Sequence, residues 1–479
     1  MRHVNLITPN DPPIYKRGDV MNLGLSVRAT MTLLALAALP SALLAQNGVP
    51  WSPMNPGSEN IELMGHRPLG PGLSVADLDI EQELDRPYAY VGRIAYGEVG
   101  PKGMDIISLA DPSNLQVIYR WRIEDQDLHL RTGGMDVKHF KWKKRYYVVQ
   151  SLQFGQAGPD GDLGAVVLDV TGLPDAGKVR EVARIREPEL PGGFHNIFVY
   201  KHSNGRVLLF TTVSGPFAHV YDLGLVVEGK VDNALIAKVP VPESPEGGAR
   251  RRGYHDFYVG FHTDTETDRF YGGGTGGYYV YDITDLAAPK LLVTLTGING
   301  VRFGHTFTPS PDGRYVVAET EYQFAPLRIF DLKPALDKQA EDGQPHNVRR
   351  PISGWTADWK NLTHNHEVRW PYVFVSGYLD GLQVFSLMDP KNPVTVGYYD
   401  TYPGPPNDPD FRYPMFNGAF GVDVRNADGL IVVSDMSTGI WTFRMEGFNG
   451  WNGEDWGVPD VSSAQKWDKP LVAKPISRR

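Results

Sequence analysis

A short phrase that recurs seven times along the chain constrains the fold more than any other feature. Each copy holds two or three aliphatic or aromatic residues, then one anchor residue, and then a turn. The anchors, which lie 61, 53, 60, 49, 55 and 58 residues apart in turn, are Ser108, Asp169, Asp222, Asp282, Asp331, Ser386 and Arg444. Short β-rich units that repeat at about 50 residues are typical of a β-propeller with one repeat per blade. The sequence therefore predicts an all-β protein, a seven-bladed β-propeller.

The composition narrows the partners and the chemistry. The 52 glycines and 38 prolines suit a fold with many tight turns. The formal net charge is −9 and no block of basic residues is present, which argues against a nucleic-acid partner. The chain has no cysteine, so any bound metal must be held by histidine, carboxylate or backbone oxygen.

Both ends of the repeat region carry an incomplete unit. The seventh repeat supplies three strands and ends at Arg444, whereas residues 60–65 resemble an isolated outer strand. We expect residues 60–65 to pair with the strand around residues 439–444, because this pairing closes the ring of blades and removes exposed sheet edges. The predicted propeller spans residues 59–445, and residues 446–479 form a C-terminal tail.

An apolar segment near the N-terminus predicts export. Residues 31–45 (MTLLALAALPSALLA) follow Arg28 and precede the polar Gln46, which is the layout of a secretory signal peptide. We interpret residues 1–20 as an upstream segment, with Met21 as an alternative start, residues 21–45 as the signal peptide and residues 46–58 as a linker. The alternative is a retained membrane anchor. Cleavage would give a secreted or periplasmic protein of the bacterial cell envelope, with no membrane span in the mature chain.

Three segments resemble the repeat unit of LVIVD-repeat propeller proteins. They are residues 88–91 (YAYV), 381–387 (GLQVFSL) and 389–397 (DPKNPVTVG). The resemblance covers about residues 60–445 and is strongest in the first, sixth and seventh repeats. It implies a β-propeller fold and, since the family is mostly secreted, an exported protein. It implies little about activity.

Four histidines share one position of the repeat, at the start of the strand nearest the predicted central channel. They are His195, His255, His305 and His366, with spacings of 60, 50 and 61 residues. Imidazoles that face a channel can hold Cu, Zn, Fe or Mn, and they can act as general bases. The alternative is a packing role, in which each histidine caps the backbone of a neighbouring blade. We expect at least three of the four to converge, with Glu319, Glu321 or His364 as a further ligand or base.

Loops at the same end of the predicted propeller are expected to form the mouth of the channel, because long loops at one end are where recognition sites are built. The candidate mouth residues are Arg252, Trp355, Trp359, Asp380, Arg412, Tyr413 and Asp435. For Asp380 and Asp435 the alternative is a local role in turns, where aspartate bonds its own backbone.

Three functions stay open at this point. The first is an exported binding or scaffold protein whose histidine-lined mouth holds a transition metal and binds a protein, glycan or small molecule. The second is a metal-dependent, copper-type oxidoreductase that uses the histidine ring. The third, a calcium-dependent lactonase-like hydrolase, fits less well because calcium sites consist mainly of oxygen ligands. The sequence alone does not decide whether the protein is an enzyme.

Overall fold

The fold of the chain is all-β in a computed structural model that describes residues 56–96, 100–126, 129, 132–154, 160–242, 253–402, 415–453 and 467–468. The predicted upstream segment and signal peptide, and most of the linker and tail, lie outside the described residues. Within the described ranges, no helix is both long enough and apolar enough to cross a membrane.

The strands of the described residues form seven successive antiparallel runs, which we label A to G. The first strand of the chain, Ile61–Arg67 (β1), belongs to the last run. Run A consists of Val75–Ile80 (β2), Tyr88–Ala95 (β3), Gly103–Ser108 (β4) and Gln116–Arg122 (β5). Run B consists of Thr132–Trp142 (β6), Arg145–Gln153 (β7), Leu163–Asp169 (β8) and Arg180–Arg186 (β9).

The middle runs carry the helices. Run C consists of Ile197–Lys201 (β10), Val207–Thr212 (β11), Phe217–Asp222 (β12) and Leu235–Pro240 (β13), with helix Leu223–Val227 (α1) before its last strand. Run D consists of Tyr254–His262 (β14), Thr267–Gly274 (β15), Gly277–Asp282 (β16) and Lys290–Thr296 (β17). Run E begins with Phe307–Pro309 (β18), Tyr315–Ala318 (β19) and Leu327–Asp331 (β20). It continues with helix Lys333–Asp342 (α2), then His346–Asn347 (β21), which pairs with β17 of run D, and Ser353–Trp355 (β22).

The last runs complete the chain of sheets. Run F consists of Asn365–Arg369 (β23), Tyr372–Ser376 (β24), Leu382–Ser386 (β25) and Val394–Tyr399 (β26). Run G consists of Ala419–Val424 (β27), Ile431–Asp435 (β28) and Gly439–Met445 (β29), followed in the sheet by β1. Two single-turn 3-10 helices, Ala176–Lys178 and Val231–Asn233, lie in connections.

The repeated phrase forms the third strand of each run. These strands are buried almost throughout, as in β8 and β25, because their aliphatic and aromatic residues pack on both faces of the sheet. The fourth strands, such as β5 and β26, are largely exposed or half-buried. The prediction that each phrase is a β-strand is confirmed.

Strand β1 pairs with the C-terminal strand β29, as the isolated outer strand predicts. The pairing is antiparallel, and it places Ile61 opposite Met445 and Arg67 opposite Ile440. Ile61 is buried in a cluster with apolar residues of runs F and G, among them Phe374 and Phe443. The N-terminal strand therefore joins a sheet whose other strands come from the C-terminal part of the repeat region.

The first strands of successive runs lie next to one another. Strand β2 contacts β6, β6 contacts β10, β10 contacts β14, β14 contacts β18, β18 contacts β23, β23 contacts β27, and β27 contacts β2. Runs A and B are also joined in one sheet, because β3 pairs with β6 at Ile94 opposite Gly133. These contacts place the first strands of successive runs side by side.

Candidate metal centre

Hydroxyl groups on the second strands define the equivalent position in the first strands. The side-chain oxygens of Ser151, Thr212, Ser376 and Ser434 accept the backbone N–H of Asp136, Asn196, Asn365 and Gly421, respectively, at 2.8–3.2 Å. The residues that directly precede these four N–H groups are Met135, His195, His364 and Phe420. They therefore occupy one shared position in runs B, C, F and G.

The histidine of run D has the same local backbone as Phe420 of run G. The pairing of β14 shifts register between Tyr254 and Asp256, and that of β27 shifts between Ala419 and Gly421. Each shift is a β-bulge, a feature that changes where a side chain points and that is common next to active sites. His255 and Phe420 are the residues at the two bulges.

His364, rather than His366, holds the shared position in run F. His366 lies two residues further along β23, at a place that Val137 takes in run B. Burial, together with the nearby His305, lowers the pKa of His366 to about 3, so this ring is neutral. The predicted assignment of His366 to the shared position is thus two residues out of register. A shift of two residues keeps a side chain on the same face of a strand, so the sequence pattern cannot reveal it.

Four imidazoles form a continuous row, which we call the histidine row: His195, His255, His305 and His364. The ring centroids of His195 and His255 are 4.4 Å apart, and those of His255 and His305 are 4.1 Å apart. The centroids of His305 and His364 are 5.2 Å apart. Three of the four predicted histidines are therefore neighbours, and His364 extends the row in place of His366.

Two glutamates that follow β19 reach the middle of the histidine row. Glu319 places Oε2 2.5 Å from Nδ1 of His305. Glu321 places Oε2 3.5 Å from Nε2 of His305 and 4.0 Å from Nε2 of His255. The other oxygen of Glu321 accepts a hydrogen bond of 2.6 Å from the hydroxyl of Tyr378. Glu319 and Glu321, both predicted as further ligands or bases, therefore lie against the predicted histidines.

The separations among His255, His305 and Glu321 fit a bound metal ion. One ligand atom from each residue lies within 4.8 Å of the other two. Zinc–ligand bonds are about 2.1 Å long, so two ligands of a tetrahedral ion lie roughly 3.4 Å apart. The observed separations of 3.5 Å and 4.0 Å require only small adjustments to reach that geometry.

Burial shifts the pKa of two groups around this centre, Glu319 and His364. Burial raises the pKa of Glu319 well above its usual range, and its Oε2 lies 2.5 Å from Nδ1 of His305. Nε2 of His305 faces Glu321, so the carboxylate of Glu319 and the proposed metal position lie on opposite sides of the ring, as in carboxylate–histidine–metal sites. Burial and the nearby His305 lower the pKa of His364 well below its usual range. His364 is therefore neutral, and its Nδ1–H donates to the backbone oxygen of Phe420 at 2.6 Å.

The aromatic and basic mouth residues differ in their placement. Arg252, Arg412 and Tyr413 lie outside the described residues. Trp355 is buried in run E and stacks on Phe385 with ring centroids 4.5 Å apart, so its role is packing between runs. Trp359 is 52% exposed and lies on the segment that precedes β23.

Asp435 makes the local bond expected of a turn residue, whereas Asp380 bonds a segment about 20 residues earlier in the chain. Asp380 accepts a hydrogen bond of 2.5 Å from the Asn361 side chain. Asp435 accepts the hydroxyl of Thr401 at 2.7 Å and the backbone N–H of Ser437 at 2.9 Å. Burial raises the pKa of Asp380 and that of Asp435 to about 6. These bonds account for both carboxylates without a ligand.

A polar cavity next to the histidine row is a feature that the sequence reasoning missed. Its polar lining comprises Asp77, Asp79, Lys138, Asn196, Asp256, Thr306, Asn365, His366, Glu367 and Asp423. The signal was present, because a polar residue directly follows each histidine of the histidine row, namely Asn196, Asp256, Thr306 and Asn365. The lining is bonded internally: Asn365 donates to Asp77 at 2.6 Å, and Thr306 donates to Asp256 at 3.0 Å. These polar side chains therefore join first strands of different runs.

The comparisons with known proteins do not indicate a function, so the function is inferred from the geometry of the site. No protein-family model and no curated protein matches the chain. The resemblance to LVIVD-repeat proteins therefore stays a prediction.

Proposed function

We propose that this chain is an exported β-propeller protein that binds a transition metal through His255, His305 and Glu321. The observation that carries the proposal is the convergence of two imidazole Nε2 atoms on one carboxylate oxygen at 3.5 Å and 4.0 Å. Glu319 on His305 and Tyr378 on Glu321 supply the outer bonds that hold such ligands in place.

The proposed scaffold is a seven-bladed propeller of the LVIVD type, in which runs A to G are the blades. Three observations support it: the four-strand antiparallel order, the succession of contacts between first strands, and the pairing of β1 with β29. In this scaffold the histidine row lies at one mouth of the central channel. Export is tested by N-terminal sequencing of the protein from the cell envelope, where we expect Gln46; an intact Met1 or Met21 would contradict cleavage.

The types of ligand limit which metals this centre can bind. Imidazole suits Zn, Cu and Fe, and carboxylate also accepts Mn, whereas calcium takes mainly oxygen ligands. The function that the geometry supports best is binding. The protein would hold one of these four metals and, through the metal, bind a small molecule, glycan or protein group.

An oxidoreductase is the second candidate, and one observation favours it. Two histidines and one carboxylate with open positions are the ligands of non-haem iron oxygenases. That likeness points to iron as well as to the copper predicted from the histidine ring.

Metal analysis tests the proposal. We expect the purified wild type, after incubation with copper, zinc, iron or manganese and removal of the excess, to retain roughly one ion per chain of at least one metal. The variant His255→Ala with His305→Ala should retain none. His346→Ala is the matched control, because His346 is half-buried in β21 and pairs with Asp342, and it should keep the wild-type content. Equal metal content in the double variant and the wild type, or no metal in the wild type, would refute the centre.

A further inference from the structure

Three exposed aromatic residues lie close in the chain to residues of the candidate metal centre. Tyr322, Phe324 and Trp359 are 37%, 67% and 52% exposed, respectively. They come from two segments, the connection after β19 and the segment that precedes β23. We call these three residues the aromatic rim.

The two segments of the aromatic rim are bonded to each other. The backbone N–H of Phe324 donates to the backbone oxygen of Trp359 at 2.9 Å. The side chain of Gln323 donates to the backbone oxygen of Lys360 at 2.7 Å. Hydrogen bonds therefore join the two segments of the aromatic rim to each other.

The connection after β19 carries both metal-site carboxylates, and the segment before β23 is bonded to one of them. Thr363, just before His364, donates to Oε1 of Glu319 at 3.1 Å. Tyr322 directly follows Glu321, and the Cα atom of Phe324 is at most about 11 Å from that of Glu321. The rim and Glu321 therefore share one short stretch of backbone.

The backbone at Phe324 holds a bulky ring in solvent at a cost in free energy. Its φ is +60°, a conformation that is unfavourable for a large residue without a specific reason. Residues held in such conformations cluster at ligand sites. A large exposed aromatic ring with a strained backbone is hard to explain by folding alone.

A further aromatic residue approaches the centre from run D's side. Phe303, which is half-buried, packs its ring edge-on against His255 with centroids 5.7 Å apart. Phe303 therefore adds an aromatic wall beside His255, one of the proposed ligands. Small-molecule sites typically combine apolar and aromatic walls with a few polar or metal groups.

We propose that the aromatic rim binds a small aromatic molecule whose oxygen donor reaches the metal. The inference rests on the proposed metal centre and gives its ligand class. A flat apolar ring suits this surface better than a glycan, because the polar residues next to Phe324 and Trp359 in the chain are already engaged: Gln323 bonds Lys360, and Asn361 bonds Asp380.

The test compares three probes that present the same carboxylate: benzoate, cyclohexanecarboxylate and acetate. Each is titrated calorimetrically into metal-loaded protein. We expect the wild type to bind benzoate at least roughly tenfold more tightly than acetate or cyclohexanecarboxylate. Phe324→Ala with Trp359→Ala should lose most of this preference and keep the metal content, since both side chains are exposed. Met388→Ala is the matched control, because Met388 is a 65% exposed apolar residue in the turn between β25 and β26.

Three results would overturn the inference: equal affinity of the wild type for benzoate and acetate, equal affinity for benzoate and cyclohexanecarboxylate, or an unchanged preference in the rim variant. The metal-free wild type separates the two proposals. A benzoate preference that depends on the rim in a protein that retains no metal would support the rim and refute the metal centre. A retained metal without the preference would refute the rim alone.

Discussion

At the scale of the residue, Tyr378 connects the metal centre to the fold. It is buried at φ +48°, and its hydroxyl holds one oxygen of Glu321 while the other oxygen faces the histidines. We expect Tyr378→Phe to weaken metal binding by about 10- to 100-fold, the usual effect of losing an outer-shell bond. The free energy of unfolding should fall by only about 1 kcal/mol. A competition titration with a chromogenic chelator measures the first effect and urea unfolding the second.

The control for this prediction is Tyr279→Phe. Tyr279 is also a buried tyrosine, and it donates to the backbone oxygen of Thr275 at 2.5 Å. Its loss should lower stability without changing metal affinity. An equal loss of metal affinity in both variants would mean that Tyr378 acts through stability alone.

Residue identity was predictable at the metal centre, whereas register and long-range partners were not. The blade-like spacing of His195, His255 and His305 was visible in the sequence, and so were the two glutamates. His364 and His366 share a strand face, so only the three-dimensional bonds distinguish them. Tyr378 carried no signal, because its bond to Glu321 joins two connections 57 residues apart.

At the scale of the element, the anchor residues explain why the repeat can be recognised in the sequence. Asp169, Asp282 and Asp331 each accept the backbone N–H two residues later, at 3.0, 2.9 and 3.1 Å, respectively. Aspartate bonds of this kind end a strand and begin a turn through purely local chemistry. The third strands were therefore predictable from short windows of sequence. The bonds between the first strands of different runs were not, since they depend on the assembled sheets.

One bond between first strands predicts a pH dependence of stability. His139 in β6 contacts Asp79 in β2 through its ring at 2.5 Å. Burial alone would lower the pKa of His139. Asp79 and other nearby carboxylates outweigh this effect and raise the pKa of His139 to about 9. Because this pKa is above the unfolded value of about 6.5, the pair stabilises fully below pH ~6.5 and loses that contribution as the pH rises through 9. The loss should be of order 2–3 kcal/mol.

Urea unfolding at pH 6.5 and pH 9.5 measures this loss. Other buried groups titrate in the same range, so the informative comparison is between the wild type and His139→Gln. The variant should be less stable at pH 6.5 and show a smaller decrease at pH 9.5. The same decrease in both proteins would assign the pH dependence to other groups.

At the scale of the whole molecule, the pairing of β1 with β29 decides whether the ends of the repeat region stabilise each other. Without β1, strand β29 has a free edge, and Ile61 no longer covers the cluster around Phe374 and Phe443. Burying one isoleucine contributes about 1.5–3 kcal/mol, and several ladder hydrogen bonds add to this. We expect a chain that begins at residue 68 to lose more than about 3 kcal/mol and to aggregate through the exposed edge. The control is a chain that begins at residue 56, which keeps β1. Thermal unfolding and light scattering compare the two truncated chains. Equal melting temperatures would show that β1 is dispensable, and the proposed ring would then need no N-terminal strand.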